Sequence, residues 1–186
     1  MEIRKASIYD DKVLQGLFEF IKSLDIDLIR KIGEEEFWEI LKICYKSEDD
    51  RYSYRNCKVI ESDKEIQGFY FSYDYDFLLE SKKYWEDKII PKYNLNTDDV
   101  IFNYNEALVG EYYLDILYVF ENSRSEGYGT ELLKNFFETT GYNIKSLNVA
   151  EGNPRARKLY ESFGMKRECE IEIANHKYYH MVLRNC

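Results

Sequence analysis

Proline is nearly absent from this 186-residue chain, with only Pro91 and Pro154. There is no Ser/Gly-rich or low-complexity stretch and no internal repeat, so nothing marks a linker. One α/β domain over residues 1–186 is expected. The four cysteines, Cys44, Cys57, Cys169 and Cys186, have no short paired spacing, which argues against a disulfide framework or zinc site. The two histidines, His176 and His180, fall in one expected strand. Their separation of roughly 13 Å is too large for a shared metal ion, and no metal is expected. No apolar run approaches the ~18 residues of a membrane span, and the N-terminus lacks a signal-peptide pattern. A cytoplasmic protein with reduced thiols, away from membranes, is expected. Positive charge is also short: 26 Lys and Arg stand against 35 Asp and Glu, a formal charge of −9. That balance argues against a nucleic-acid partner and is compatible with a cationic one.

What is present is the composition of a folded protein, 45% hydrophobic and 33% charged residues, with enough length for a sizeable core. Met1–Ser7 alternates as a first strand. Asp10–Leu24 carries Val13, Leu14, Leu17, Phe18 and Ile21 at helical spacing. Gly33–Ser47 is a second helix, with Glu34–Glu36 at the end its dipole prefers. Asn56–Asp63 and Glu65–Tyr73 form a hairpin around Asp63-Lys64. Residues 74–110 are an excursion with a short helix, Ser81–Ile90, stopped by Pro91. Its aromatic and aliphatic content is too high for disorder, and it suits a cover over a pocket, a homodimer contact or a packed decoration. The central strand Glu111–Phe120 follows, then a helix over about Gly127–Thr140 and a strand at Ser146–Ala150. A helix capped by Asn153 with Pro154 at its first position comes next. Strands at about Glu168–Ala174 and Tyr178–Leu183 end the chain.

The most informative residues are Arg124-Ser125-Glu126-Gly127-Tyr128-Gly129, between the apolar run Leu114–Phe120 and the helical stretch from Thr130. A strand that turns through glycines into a helix start presents free amide N–H groups and the positive end of a dipole. Without Cβ atoms in the way, it can cradle a phosphate. It is not a Walker loop, because Gly129 is followed by Thr130-Glu131. It is not a dinucleotide fingerprint, because the third glycine position is Leu132. What remains, Arg-x-x-Gly-x-Gly after a strand, resembles the pyrophosphate loop of the GNAT superfamily of acyltransferases. Residues 153–165, Asn153-Pro154-Arg155-Ala156 to Tyr160-Glu161-Ser162-Phe163-Gly164-Met165, resemble that family's later motif, Asn-x-x-Ala-x-x-x-Tyr-Glu-x-x-Gly-Phe/Met. The resemblance is strong over about 111–166 and holds in outline elsewhere.

The resemblance implies a GNAT fold: a central mixed, mostly antiparallel sheet of about seven strands, with strands four and five splayed, flanked by about four or five helices. It implies an acetyl-CoA-dependent N-acetyltransferase acting by direct transfer on a primary amine of a small molecule or peptide. The absence of a cysteine near either motif fits a route without a covalent intermediate. Carried over by position, Arg124, Ser125, Glu126, Gly127, Tyr128, Gly129 and Thr130 hold the pyrophosphate, with Glu126 turned to solvent. Leu117, Tyr118 and Val119 pair with the pantetheine arm, and Asn153 and Ala156 line it. Tyr160 protonates the departing thiolate. Asp115, read as sharing the strand face of Leu117 and Val119, receives the amine proton, with Glu111 and Glu106 as poorer candidates. The alternative is a non-catalytic acyl-CoA-binding or interaction module of the same fold.

Overall fold

The computed structural model describes residues 1–102, 104–173 and 176–184; Ala174 and Cys186, named above, lie outside them. Seven strands form one sheet in the order β1-β2-β3-β4-β5-β7-β6. They are β1 Glu2–Lys5, β2 Cys57–Ser62, β3 Glu65–Asp74, β4 Glu111–Val119, β5 Ile144–Ala150, β6 Lys166–Ile173 and β7 His176–Arg184. Every neighbouring pair is antiparallel except β4 and β5. Asp63 and Lys64 turn the β2–β3 hairpin, both at positive φ (54° and 67°), the backbone that a two-residue hairpin needs to match strand twist.

The helices divide between the two faces. On one lie α1 (Asp11–Ser23), α2 (Asp27–Ile32) and α3 (Glu34–Lys46). They bury Val13, Leu17, Ile21, Phe37, Ile40 and Leu41 against Val59, Phe69, Phe71 and Ile116. The other carries α6 (Tyr128–Glu138) and α7 (Pro154–Ser162). There Leu132, Leu133 and Phe136 of α6 pack with Leu114, Leu147 and Met181 of the sheet. Each such side chain contributes about 1.5–3 kcal/mol by leaving water.

More helix is present than the sequence pattern predicts. The six-residue α2 is too short to show periodicity; it is held by buried Leu28 and by Arg30 pairing with Asp25 and Asp27. The helix of the excursion starts earlier and ends later than Ser81–Ile90. Asp74 caps α4 (Tyr75–Tyr84) by accepting the Phe77 N–H at 2.9 Å. A widened π-type turn, Trp85–Ile89, then leads into the short α5, Ile90–Tyr93, so Pro91 does not stop the helix. Pro91 sits in the first turn after that widening, where its missing N–H and ring are tolerated. The excursion thus contributes Trp85, Ile89, Leu95 and Ile101 to the core that α1, α2 and α3 share with the sheet.

One feature of the sheet positions the site. β4 pairs with β5 only from Glu111↔Ile144 to Leu114↔Leu147. Beyond that, β4 continues to Val119 along β3, and β5 continues to Ala150 along β7. A bulge in the β3–β4 register sits where Phe71↔Ile116 gives way to Ser72↔Leu114. Bulges bend a strand and raise its twist, and the two strands part directly after it.

Candidate active site

A cleft of about 1000 Å³ opens at this parting. β4 lines it with Leu117, Tyr118 and Val119, the following loop with Ser123, Arg124, Ser125 and Gly127, and the start of α6 with Tyr128, Gly129 and Thr130. α7 closes the far wall with Asn153, Ala156 and Tyr160. All the residues assigned from sequence to the acyl carrier meet here except Glu126, which is exposed and outside the lining, as its charge requires.

The loop explains its own composition. Gly127 caps α6 at φ 90°, a left-handed conformation that costs a residue with a Cβ about 1–2 kcal/mol. Ser125 is also left-handed, at φ 70°, a conformation that a residue with a Cβ rarely adopts. The first helical bonds run from Thr130 N–H (3.0 Å) and Glu131 N–H (3.1 Å) to the Gly127 carbonyl. By helix geometry the amides just before them have no intrahelical acceptor and point out of the helix end. Arg124 is pinned by its Nε, which donates to the Val119 carbonyl at 3.2 Å, and exposed Arg155 lines the same cleft. Two guanidinium groups and a helix N-terminus fit a diphosphate.

The other requirements of a pantetheine thioester are also met. The β5-facing edge of β4 beyond Leu114 has no strand beside it, so its peptide groups are open to an amide-bearing chain. Leu117, Val119 and Leu159 supply apolar walls. Asn153 spends its side-chain oxygen on capping α7, accepting the Ala156 N–H at 3.0 Å, which leaves its amide NH₂ for the cleft. Burial raises the Tyr160 hydroxyl above its ordinary pKa, so it stays protonated at neutral pH, as a proton donor must.

Sequence reasoning missed the wall made by α1, where Glu19, Phe20 and Ser23 line the cleft. Glu19 is exposed and lies off the apolar stripe of α1. The only signal in the sequence was Phe20, an aromatic away from the buried positions.

Asp115 requires a correction. The bulge breaks the alternation of β4, so Asp115 does not share the face of Leu117 and Val119. Those two pack toward α6 and α7, whereas Asp115 points to the opposite face. There its Oδ2 accepts from Arg51 Nε (3.1 Å), Arg51 Nη2 (2.9 Å) and the Tyr73 hydroxyl (2.6 Å). Arg51 also donates to Glu106, and all three charged side chains are at most 4% exposed. Burial works against the Arg51 charge, but Asp115 and Glu106 outweigh it and keep the guanidinium protonated. The rings of Tyr52, Tyr73, Phe102 and Tyr104 surround it at 5.4–5.9 Å. Glu111 and His180 form a second buried cluster: His180 Nε2 lies 2.9 Å from Glu111 Oε1 and its Nδ1 2.8 Å from Asn148. Glu111 also accepts from the Leu108 N–H and the Ser146 hydroxyl, so this pair braces the β4–β5 seam. Among the described residues no group of His, Cys, Asp or Glu is placed to hold a metal ion.

The family model described as "Acetyltransferase (GNAT) family" matches residues 26–165. The chain belongs to the GNAT acetyltransferase family. A solved structure described as an acetyltransferase is 28% identical over 99% of both chains, with a TM-score of 0.82. An N-acetyltransferase from Staphylococcus aureus Mu50 is 23% identical, covering 98% of this chain and all of that one, also at 0.82. The fold also matches a structure of the NatC complex bound to Gag peptide and CoA, at 12% identity, full coverage of both chains and 0.56. A comparison with curated proteins found no match. As in other GNAT proteins, the sheet is mixed, and strands four and five are its parallel pair.

Proposed function

We propose that this GNAT protein is an N-acetyltransferase that moves an acetyl group from acetyl-CoA directly to a primary amine of a small molecule or peptide. In this reading residues 1–186 act as one acetyltransferase domain, and 74–110 is an excursion of it. The observation that carries the reading is the cleft itself, which has a diphosphate cradle at one end, an unpaired strand edge along its length and a tyrosine on the opposite wall. Arg124, Arg155 and the amides of Gly127–Gly129 bind the diphosphate, with Ser125 and Thr130 beside them. Leu117, Tyr118 and Val119 present backbone to the pantetheine arm, while Asn153 and Ala156 flank it. The thioester carbonyl lies at the parting of β4 and β5, where a backbone N–H of β4 near Val119 stabilises the developing oxyanion. Tyr160 gives its proton to the thiolate as the C–S bond breaks. Asp115, whose Oδ2 accepts from Arg51 and Tyr73, holds Arg51 in place. A route without a covalent enzyme intermediate is supported by the lining of the cleft, which includes no cysteine among the described residues.

The test combines calorimetry with acetyl-CoA and thiol release across a panel of polyamines, aminoglycosides, amino acids and peptides. Acetyl-CoA should bind, and one acceptor class should give release. Tyr160→Phe should lower kcat about 100-fold with acetyl-CoA affinity unchanged. Binding without release from any amine would favour the acyl-CoA-binding module instead.

A further inference from the structure

The face of the β4–β5 parting opposite the cleft holds a carboxylate that the reading above does not use. Glu106 lies on the excursion, just before β4. Its own carbonyl accepts the Asn148 Nδ2–H at 2.8 Å. Asn148 is the first residue of β5 beyond the last β4 pairing, so Glu106 is tied to the lip of the gap. The same Asn148 Nδ2 donates to the Tyr113 hydroxyl at 3.0 Å. One Glu106 oxygen, Oε2, takes Arg51. The other, Oε1, is buried with no hydrogen-bond partner among the described residues, as are two donors of the same cluster, Arg51 Nη1 and the Tyr52 hydroxyl. Leaving a buried carboxylate oxygen unmatched is costly, and Asp115 beside it shows that donors were available to this cluster.

Building on the N-acetyltransferase reading, we propose that Glu106 is the base that takes the proton from the acceptor's ammonium group. Its Oε1 would be the acceptor for that N–H, or for a water carrying its proton. The ammonium gives one proton to Glu106, and the freed amine nitrogen forms a bond to the thioester carbonyl carbon. The C–S bond then breaks. The thiolate takes the Tyr160 proton, and the surplus proton on nitrogen returns to the Tyr160 oxygen. Glu106 finally releases its proton to solvent, so one proton leaves per acetyl transferred. The surroundings match this task. Burial first, then Asp115, push the Glu106 carboxyl up to about 7 against the pull of Arg51, the range in which a base can both take and lose a proton. The titratable groups facing it are Arg51 and Tyr52 from the turn after α3, Tyr73 of β3, Tyr104 of the excursion, Tyr113 and Asp115 of β4, and Tyr178 of β7. The five tyrosines are all shifted upward by burial first, away from the range in which Glu106 titrates, while Asp50, which faces Arg51, Tyr52 and Tyr104, is pushed up to about 6. The base would thus come from the excursion, not from the central strand.

The experiment is kcat against pH from 5.5 to 9 with acetyl-CoA and the best amine of the panel, for wild type, Glu106→Gln and Glu106→Asp, each with acetyl-CoA calorimetry. Wild-type kcat should fall on the acid side with a midpoint near 7. Glu106→Gln should lose about 100-fold in kcat and lose the acid limb, with acetyl-CoA affinity within about twofold. Glu106→Asp should recover part of the rate and keep a limb. An unchanged limb in Glu106→Gln would overturn the assignment while leaving the acetyltransferase reading intact. If Glu106→Gln does not fold, a wild-type kcat that is flat from pH 6 to 8 overturns it equally. Acetyl-CoA binding with no turnover from any amine would overturn the acetyltransferase reading and this inference with it.

Discussion

Replacing Arg51 with methionine tests the buried charge cluster directly. Arg51 is 3% exposed and joins Glu106 and Asp115, at 2% and 4%. Methionine keeps much of the side-chain volume inside the aromatic ring of Tyr52, Tyr73, Phe102 and Tyr104 and removes the charge. Breaking a buried ion pair from one side costs about 3–5 kcal/mol, because the partner charge is left uncompensated. The cost should depend on pH, with a definite sign. The Glu106 carboxyl is raised in the folded protein from 4.5 to about 7. A group raised in this way contributes its stability below the unfolded value and loses it as pH climbs through the folded one. At pH 5 Glu106 is already neutral in the wild type, and losing Arg51 removes no charge pair with it. At pH 8 Glu106 is ionised, and the variant must either hold a bare buried carboxylate or keep its proton, at about 1.4 kcal/mol for each further pH unit. Urea denaturation should therefore show a loss of about 3–5 kcal/mol at pH 8 and a loss smaller by at least ~1.4 kcal/mol at pH 5. Adding Glu106→Gln to Arg51→Met should recover part of the deficit at pH 8 only. Equal losses at both pH values, or a loss under ~1 kcal/mol at pH 8, would refute the reasoning.

Asp50, fully buried and accepting the Tyr52 N–H at 2.8 Å, is pushed up to about 6, burial being the main cause. Stability should fall as pH rises from 4 to 6 on its account, and Asp50→Asn should flatten that fall by about 3 kcal/mol in denaturant titrations. Gly68 faces Val119 across β3–β4, and a Cβ there would stand 2.6 Å from the Tyr118 carbonyl oxygen. Gly68→Ala should cost about 1–3 kcal/mol and weaken acetyl-CoA binding, measured by calorimetry, because Tyr118 and Val119 must shift in the cleft wall.

How much of this was legible in the sequence follows from how local each signal is. The diphosphate loop was readable because its physics sits in six consecutive residues, Arg124–Gly129, whose glycines and following helix state the backbone shape. Asn153-Pro154 announced α7 for the same reason, since cap and first-turn proline are adjacent. Asp115 was misread because strand parity is a local rule that one bulge defeats, and nothing between Tyr113 and Leu117 marks the bulge. The cluster it belongs to was invisible: Arg51, Glu106 and Asp115 are 55 and 64 residues from their partners, and single charges in a chain rich in charge carry no pattern. Pro91 misled in another way. It normally ends a helix, but the π-type turn before it is set by burial of Trp85 and Ile89, a tertiary effect.

The short seam between β4 and β5 makes the sheet two half-sheets, whose backbones pair only where Glu111–Leu114 meet Ile144–Leu147, with α6 and the side chains of Asn148 and His180 spanning both. The diphosphate loop and the open strand edge belong to one half, and Asn153, Ala156 and Tyr160 to the other. A small rotation at the seam would separate Tyr160 from β4 without unpairing either half. On gradual heating, activity should therefore disappear at a lower temperature than the circular dichroism of the sheet, and a bound acyl-CoA, acting as a missing strand, should bring the two losses together.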